Sequence, residues 1–336
     1  MLPCTVLLRF TQQPVTHNRF TEMLQKRPPG SLGDDTPIVF KTGDILFLLD
    51  DNIYYLHQLK DALFYLKSSG VAVVSLVHDV IPITHPMYVT DSHRKVFIDW
   101  LDVVEHVSSG IISVSEATKN ELLKLKPDLQ IKSFHLGCDI PTCLQRDVGI
   151  TIPPGKNVLM VGTTEPRKCY TETLLEFEKI WETRSDINLI IVGCHGWLSE
   201  NLVEKIRIHP LLNKNLFWLN NLDDSGLTYL YKNSDLFLFS SDTEGFGIPL
   251  VEASYYKMPL ILRDTPIFRE IAGCNALYFD KFDELPNIIV RVLDGAIIAP
   301  ESSAIKPKTW DDATLECSMH LLKFRMERIK TLFQRK

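Results

Sequence analysis

The sequence predicts an α/β protein built from two doubly wound parallel sheets. Short apolar runs rich in valine, isoleucine and leucine alternate with helical patterns along the chain, and such runs suit strands that are buried on both faces of a parallel sheet. The alternation occurs twice, and a linker-like stretch with three prolines, from 138 to 155, separates the two series. The length of 336 residues is enough for two domains of ordinary size.

The first series predicts four strands and three helices. The strands are expected at Ile45–Leu49, Val71–Val77, Ile111–Val114 and Ile131–Phe134, and the helices at about Tyr54–Lys67, His93–Val107 and Glu116–Leu125. We therefore expect an N-terminal domain over residues 1–150. Its opening is atypical, either degenerate or shortened, because no glycine precedes Gly30 and Gly30 itself lies in an irregular, proline-rich loop.

The second series is longer and predicts a C-terminal domain over residues 151–310 with its own doubly wound sheet. The strands are expected at Val158–Val161, Leu189–Val192, Leu216–Leu219, Leu236–Phe239, Leu260–Leu262 and Ala276–Phe279. The helices are expected at Glu172–Thr183, Asn201–His209, Gly226–Lys232, Pro249–Lys257, Ile267–Ile271 and Leu285–Leu293. A final long helix is predicted from Asp311 to Phe333.

Composition excludes several classes of function. The formal charge is −6 and no lysine or arginine block stands out, so nucleic acid is not an expected partner. The seven cysteines form no C-x-x-C pair and no Asp-x-Asp pair occurs, so we expect neither a zinc site nor a bound divalent metal. No apolar run approaches the ~20 residues of a membrane span, and no secretory pattern is present, which favours a cytoplasmic setting. The tail Lys323–Lys336 reads as an amphipathic helix, with contact to an anionic membrane surface as the alternative.

The most informative segment is Ser241–Glu252, in which Glu244 and Glu252 stand eight positions apart across a glycine-rich turn. A strand candidate precedes the turn and a helical pattern follows it. The amides at such a helix start bind anions, whereas carboxylates repel phosphate and accept hydrogen bonds from sugar hydroxyls. A nucleotide-sugar carries both groups. The alternative is an ordinary strand–turn–helix with surface carboxylates.

A second candidate element, from Gly162 to Lys168, closes the first strand of the C-terminal domain. Gly162 permits a tight turn, and Arg167 and Lys168 offer a planar fork and a compact charge, both suited to a diphosphate. The alternative is a pair of solvated cations. That placement is unfavourable near the positive end of a helix, which favours a functional interpretation.

Two further candidates end strands of the first series. His78 follows the strand Val71–Val77, where it lies either in a site or in a structural role, and the role of Asp79 stays open. Ser115 is best interpreted as the N-cap of the next helix.

These motifs together resemble a known family. Glu-Gly-Phe-Gly-x-Pro-x-x-Glu, from Glu244 to Glu252, resembles the E-x7-E signature of retaining, sugar-nucleotide-dependent glycosyltransferases of group 1, family four, which have the GT-B fold. The element Gly-Thr-x-x-Pro-Arg-Lys, which starts at Gly162, resembles the segment that binds the donor diphosphate. His-Asp-x-x-Pro, which starts at His78, resembles the mannosyltransferase-like branch.

The resemblance implies two Rossmann-like domains that face a central cleft, with a C-terminal helix, residues 311–336, that crosses back to the N-terminal domain. It implies that Arg167 and Lys168 hold the diphosphate, Glu244 orients the donor sugar, Glu252 accepts from the ribose and His78 lines the sugar face. The other residues expected to bind the donor are Gly162, Thr163, Gly245, Phe246, Gly247, Ile248 and Leu250.

The expected activity is retaining, metal-independent transfer of a hexose, mannose or a related sugar, from a nucleoside diphosphate sugar, with GDP favoured as the nucleotide. The expected acceptor is a glycan or lipid-linked glycan of polysaccharide or lipopolysaccharide biosynthesis, reached at the inner face of the membrane, and no cofactor is expected. Two alternatives stay open. One is a non-catalytic binding module of the same fold, prompted by the atypical opening; the other is a nucleotide-sugar epimerase, a class that lacks the E-x7-E pattern.

Overall fold

The computed structural model describes residues 39–49, 53–54, 56–138 and 151–334. The atypical opening before residue 39 and residues 139–150 of the linker between the two series lie outside these residues. Two compact units are present. One comprises the described residues of Met1–His135 together with those of Asp312–Lys336, and the other comprises the described residues of Leu136–Asp311.

The first unit contains a four-stranded parallel sheet whose strands lie side by side in chain order. The strands are β1 (Ile45–Leu48), β2 (Ala72–Val77), β3 (Gly110–Ser113) and β4 (Ile131–Ser133). The helices are α1 (Leu56–Ser68), α2 (Ile81–Thr84), α3 (Asp91–Val107) and α4 (Glu116–Leu125). All four predicted strands and all three predicted helices of the first series are confirmed. The short helix α2 was not predicted, because four residues are too few to show a helical period.

The second unit contains a six-stranded parallel sheet in the order β10-β9-β8-β5-β6-β7. The strands are β5 (Lys156–Val161), β6 (Ile187–Val192), β7 (Leu216–Leu219), β8 (Leu236–Phe239), β9 (Leu260–Arg263) and β10 (Leu277–Phe279). The helices are α5 (Tyr170–Trp181), α6 (Glu200–Arg207), α7 (Asp224–Asn233), α8 (Ile248–Tyr255), α9 (Pro266–Ala272) and α10 (Leu285–Leu293). Every element predicted here from the sequence is confirmed.

The strand order of the second sheet reverses between β5 and β8. The chain first runs outward from β5 through β6 to β7, then returns to the other side of β5 and runs outward again through β9 to β10. This is the doubly wound arrangement that the sequence predicts, and ligands of such sheets bind beyond the carboxyl ends of the strands at the reversal point. Within the part of the chain that the structure describes, the first sheet has no such reversal.

The continuous apolar runs form strands because both sheet faces are covered. Every residue of β2 and of β6 is buried. In the second unit, Phe177 of α5 and Ile289 of α10 join the strand side chains in one core. Fully buried parallel strands of this kind place their carboxyl ends at one sheet edge and leave that edge to the connecting loops.

The last helix, α11 (Trp310–Gln334), packs on the first sheet. Phe324 is 1% exposed and lies against Gly110 of β3, where a side chain would meet the Phe324 ring at 2.3 Å. His320 Nε2 donates to the Ser133 carbonyl at 3.0 Å, and Arg325 donates to the Gly43 carbonyl. The absence of a side chain at Gly110 therefore sets how closely α11 approaches the sheet.

We expect Gly110→Ala to destabilise the protein by about 1–3 kcal/mol, because the new methyl group overpacks the Phe324 ring. Urea unfolding measures this change. Phe324→Leu introduced together with Gly110→Ala should cost less than the sum of the two single changes, since the smaller side chain makes room for the methyl group. Strict additivity of the two changes would contradict the packing described here.

Candidate active site at the reversal point of the second sheet

The loops after β5 and β6 approach each other closely at the carboxyl edge of the second sheet. The Gly162 amide donates to the Val192 carbonyl at 2.9 Å. A side chain on Gly193 would lie 2.0 Å from the Gly162 carbonyl oxygen, so only glycine fits there. Tyr170 of α5 donates its hydroxyl to the same carbonyl at 2.8 Å. The backbone at Gly162 is therefore fixed from both sides.

The turn Pro166–Lys168 is a single 3-10 turn that presents the two cations. Cys169 follows it with a left-handed backbone (φ 54°) and turns the chain into α5. Two bonds tie this turn to the end of β8, because Ser240 Oγ donates to the Lys168 carbonyl at 2.8 Å and the Asp242 amide donates to the Arg167 carbonyl at 2.9 Å. The loops on the two sides of the reversal point are thus joined by one backbone bond and one bond from a side chain.

Glu244 lies between the two cations. Its carboxylate accepts from Lys168 Nζ and pairs with Arg167 Nη1 at 2.5 Å, and Arg167 Nε also donates to Glu165 at 3.0 Å. The side chains of Glu244 and Lys168 are only 7% and 9% exposed. Two carboxylates and two cations therefore alternate in a nearly dry network that is formally neutral.

Burial and pairing act against each other on these charges. Burial alone raises the pKa of Glu244, but the adjacent Lys168 ammonium and the Arg167 guanidinium outweigh it and hold that pKa below its ordinary value. Burial lowers the pKa of Lys168; Glu244 opposes this shift, whereas the nearby Arg167 charge adds to it. The site therefore contains an ionised carboxylate and a lysine whose charge depends on that carboxylate.

The second motif glutamate, Glu252, lies on α8 in a different environment. Its Oε2 accepts from the Tyr231 hydroxyl at 2.8 Å, and Tyr231 stacks on Tyr256. Burial raises the pKa of Glu252, as does the like charge of Asp224, while the Tyr231 hydrogen bond opposes the rise. Glu252 is thus held in place by a neutral donor.

The start of α8 supplies the backbone amides of the predicted phosphate cradle. Gly247 caps the helix with φ 100°, a conformation that favours glycine. Pro249 has no N–H group, and the Leu250 amide already donates to the Gly247 carbonyl at 3.0 Å. Among the amides of Gly247–Leu250, those of Gly247 and Ile248 are the remaining candidates for a ligand.

The other predicted donor-binding residues occupy the same two loops. Gly245 and the buried Phe246 precede α8. Thr163 is half-buried in the loop after β5, where its carbonyl accepts from the Glu165 amide at 2.9 Å. These positions are adjacent in sequence to Glu244 and to the two cations, and a role for each stays a prediction.

His78, Asp79 and Ser115 lie together at the carboxyl ends of β2 and β3 in the first unit. Ser115 caps α4, as the sequence predicts, and accepts from the Thr118 amide at 3.0 Å. The Thr118 hydroxyl donates to the His78 carbonyl at 3.3 Å. Asp79 Oδ1 accepts from the Ile81 amide at 2.9 Å, at the start of α2. This bond to the first residue of α2 gives Asp79 a structural role that the sequence left open.

Three contributors to the site were missed at the sequence level. Glu165 stands inside the recognised motif, so its charge next to Arg167 was the available signal. Tyr170 and Tyr231 lie on helices whose apolar pattern marks them only as core residues. Their hydroxyl contacts depend on the tertiary structure, and no local spacing reveals them.

Comparison with known proteins matches the part of the chain that contains this site. Residues 149–285 match the family model described as glycosyl transferases group 1. Over 301 residues the chain is 33% identical to the serotype-specific mannosyltransferase WbdA of Escherichia coli, an alignment that covers 84% of the chain and 37% of WbdA. The chain contains a group 1 glycosyltransferase domain. The chain spans well under half the length of the WbdA proteins that it matches. It is also 28% identical over 237 residues to the O-antigen chain mannosyltransferase B of Escherichia coli, and that alignment covers 66% of this chain and 60% of that protein.

Solved structures with little sequence similarity to this chain have the same fold. TarM of S. aureus matches with a TM-score of 0.63 and 13% identity over 84% of the chain and 55% of TarM. HepE of Anabaena, solved in complex with UDP, matches with a TM-score of 0.58 and 17% identity over 87% of the chain and 79% of HepE. The predicted GT-B fold class is confirmed.

We expect the free energy of unfolding to fall more when Glu244 is replaced than when Lys168 is replaced. Glu244→Gln leaves Lys168 without its carboxylate and should lower the free energy of unfolding at pH 7 by about 3–5 kcal/mol. Lys168→Met should cost about half as much or less, because Glu244 keeps Arg167 and the methionine fills the same space. Urea unfolding of both variants decides the order, and an equal or larger cost for Lys168→Met would contradict the network.

The pH dependence provides the control for this comparison. The folded pKa of Glu244 lies below its ordinary value of 4.5, so its contribution is complete above that pH and is lost as the pH falls through the folded pKa. The stability gap between the wild type and Glu244→Gln should therefore narrow in acid.

Proposed function

We propose that the chain transfers a hexose, mannose or a related sugar, from a nucleoside diphosphate sugar to a glycan or lipid-linked glycan, with retention of configuration and without a metal ion. The observation that carries the proposal is the cluster of Arg167, Lys168 and Glu244 at the reversal point of a doubly wound sheet. A diphosphate needs concentrated positive charge in a dry site, and a sugar needs hydroxyl acceptors beside it.

Donor binding is proposed to exchange one anion for another. Without a ligand, Glu244 pairs with both cations, and Glu165 supplies the second negative charge. The donor diphosphate takes over Arg167 and Lys168, and the released carboxylate turns to the sugar hydroxyls. The cations stay buried and oriented in both states, so they stabilise the charge that grows on the leaving diphosphate without a further cost of ordering.

Retention is proposed to proceed on one face of the donor sugar. No side chain of the cluster is placed as an obvious nucleophile, because Glu244 is held by two cations and Glu252 by the Tyr231 hydroxyl. In the proposed step the acceptor oxygen bonds to the sugar carbon, the bond from that carbon to the diphosphate oxygen breaks, and the leaving diphosphate takes the acceptor proton. The remaining proposed contacts are His78 with the donor sugar and Glu252 with the ribose.

The substrates and the place of action are proposed from the relatives. Two of them are named as mannosyltransferases, and one of these as an O-antigen chain enzyme, which supports mannose and a polysaccharide acceptor. GDP is proposed as the favoured nucleotide from the resemblance of the His78 segment to the mannosyltransferase-like branch. We propose action in the cytoplasm at the inner face of the membrane. In the described part of the chain, no helix is both long enough and apolar enough to span a bilayer.

Calorimetry with GDP and with GDP-mannose, both in EDTA, tests the proposed roles. Arg167→Ala should weaken GDP by about tenfold or more, because a hydrogen bond to a charged group is lost. Glu244→Ala should bind GDP as well as the wild type or more tightly, since the carboxylate no longer competes for the cations, yet its transfer rate should fall sharply. Glu252→Ala should lie between them, and Glu172→Gln, on the exposed first turn of α5, is the matched control that should change neither property.

Several outcomes would count against the proposal. Loss of GDP binding in EDTA that magnesium restores would contradict metal independence, and stronger binding of UDP would correct the nucleotide. Binding of GDP-mannose without transfer to any glycan would favour the non-catalytic module. If Glu244→Ala, still folded, lost GDP as badly as Arg167→Ala, Glu244 would not be a sugar contact.

Tyr231→Phe should shift the acid limit of GDP binding to higher pH. The Tyr231 hydrogen bond holds down the raised pKa of Glu252, so its removal lets Glu252 protonate earlier as the pH falls and lose its acceptor capacity for the ribose. Calorimetric titrations between pH 8 and about pH 5 compare this variant with Tyr256→Phe, whose hydroxyl donates to Thr228. Identical pH profiles for the two variants would contradict a role of Tyr231 in positioning Glu252.

A further inference from the structure

Helix α11 has two apolar faces, and only one of them is covered by the described residues of the first unit. The inner face contains Ala313, Cys317 and Phe324, all buried. The opposite face contains Leu315, Met319, Leu322 and Met326, which are 63%, 49%, 50% and 57% exposed. We call these four residues the outer seam. Large apolar side chains that form a continuous, solvent-exposed row mark an interaction site.

The spacing of the outer seam is that of a coiled coil. The intervals of four, three and four residues between its members correspond to two heptads with apolar a and d positions. At 1.5 Å per residue the seam is about 16 Å long, or three helical turns. An apolar row with this spacing packs against a matching row on another helix. A second copy of this chain presents such a row, because its own outer seam is identical.

The charges along α11 select the direction of pairing. Residues 311–320 contain three carboxylates and no lysine or arginine, whereas residues 321–330 contain four cations and one carboxylate. Antiparallel pairing lays each acidic half against the basic half of the other copy. It also opposes the two helix dipoles, which favours the same direction.

The charged residues beside the outer seam favour antiparallel over parallel pairing. In antiparallel pairing, Glu316 of each copy lies next to Lys323 of the other, which gives two opposite-charge pairs. In parallel pairing the same positions bring Asp311 next to Glu316 and Arg325 next to Lys330, so both pairs repel. An anionic membrane surface is also a poor occupant, because it would repel the acidic half.

We propose that two copies of this chain associate through the outer seams of α11 in an antiparallel pair. The inference is independent of the proposed activity, because no residue of the seam belongs to the proposed active site. The seam is short, so the pair dissociates on dilution and is detected in a concentration series.

Sedimentation velocity of the full chain over such a series tests the proposal. The wild type should show a dimer at high concentration, and Met319→Glu, which places two carboxylates near the symmetry axis, should be monomeric throughout. Met87→Glu is the matched control, because Met87 is 68% exposed and lies outside α11, and it should dimerise like the wild type. A monomeric wild type overturns the proposal, and so does a dimer that Met319→Glu leaves intact.

Charge reversal tests the direction of the pair. Glu316→Lys and Lys323→Glu should each raise the dimer dissociation constant by about tenfold, and the double variant should return to within about threefold of the wild type. Thermal melting confirms that each variant is folded. If Glu316→Lys instead strengthens the dimer, the copies are parallel, and if the double variant does not recover, the seam is not the antiparallel interface. A wild type that is monomeric but melts at a higher temperature than Met319→Glu has its seam covered from within the chain, which also overturns the proposal.

Discussion

The second unit depends on the contact of one carboxylate with two cations. Glu244 follows β8, and Arg167 and Lys168 follow β5, the two strands between which the chain reverses direction. Removing these charges from water costs several kcal/mol per ion, and their pairing offsets that cost only when each partner is satisfied. The hydrogen bonds from Ser240 and from the Asp242 amide fix the geometry in which this is achieved. The site and the order of the strands are therefore parts of one arrangement.

This network keeps two cations buried in a site whose formal charge is zero. A pair of cations this deeply buried would lower each other's pKa and destabilise the fold if nothing balanced them. Glu244 and Glu165 together balance them, and in the proposed function the donor diphosphate, an anion with more oxygens, takes the place of Glu244. The cations are ordered when the protein folds, so the proposed binding of the diphosphate would need only the exchange of acceptors. On this proposal, carboxylates and cations share one site because the carboxylates balance the cations until the donor binds.

The sequence predicts the elements well because their signals are local. The strands β7 and β8 and the helices α4 and α10 begin and end at the predicted residues, since each is a short apolar or periodic run bounded by polar or turn-forming residues. The structure brings Arg167, Lys168 and Glu244 together, but the sequence did not predict their mutual contacts, and the role of each residue stays a prediction. Glu244 stands 76 residues from Lys168 and Glu252 stands 21 from Tyr231, so only the folded sheet brings them together. The interpretation of Glu244 as a sugar contact alone did not anticipate that, in the ligand-free site, it is the partner of both cations.

The two glutamates of the E-x7-E motif are not equivalent, and their surroundings explain why. Glu244 lies beside two cations, and its pKa is lowered despite burial. Glu252 is opposed by the charge of Asp224 and is helped only by a neutral phenol, and its pKa is raised. Eight residues that include a glycine turn and the first turn of α8 are enough to move a side chain from one environment to the other. Glu244 is therefore kept ionised by its pairing with Arg167 and Lys168, whereas Glu252 stays available to hydroxyl groups only while the solvent pH keeps it ionised.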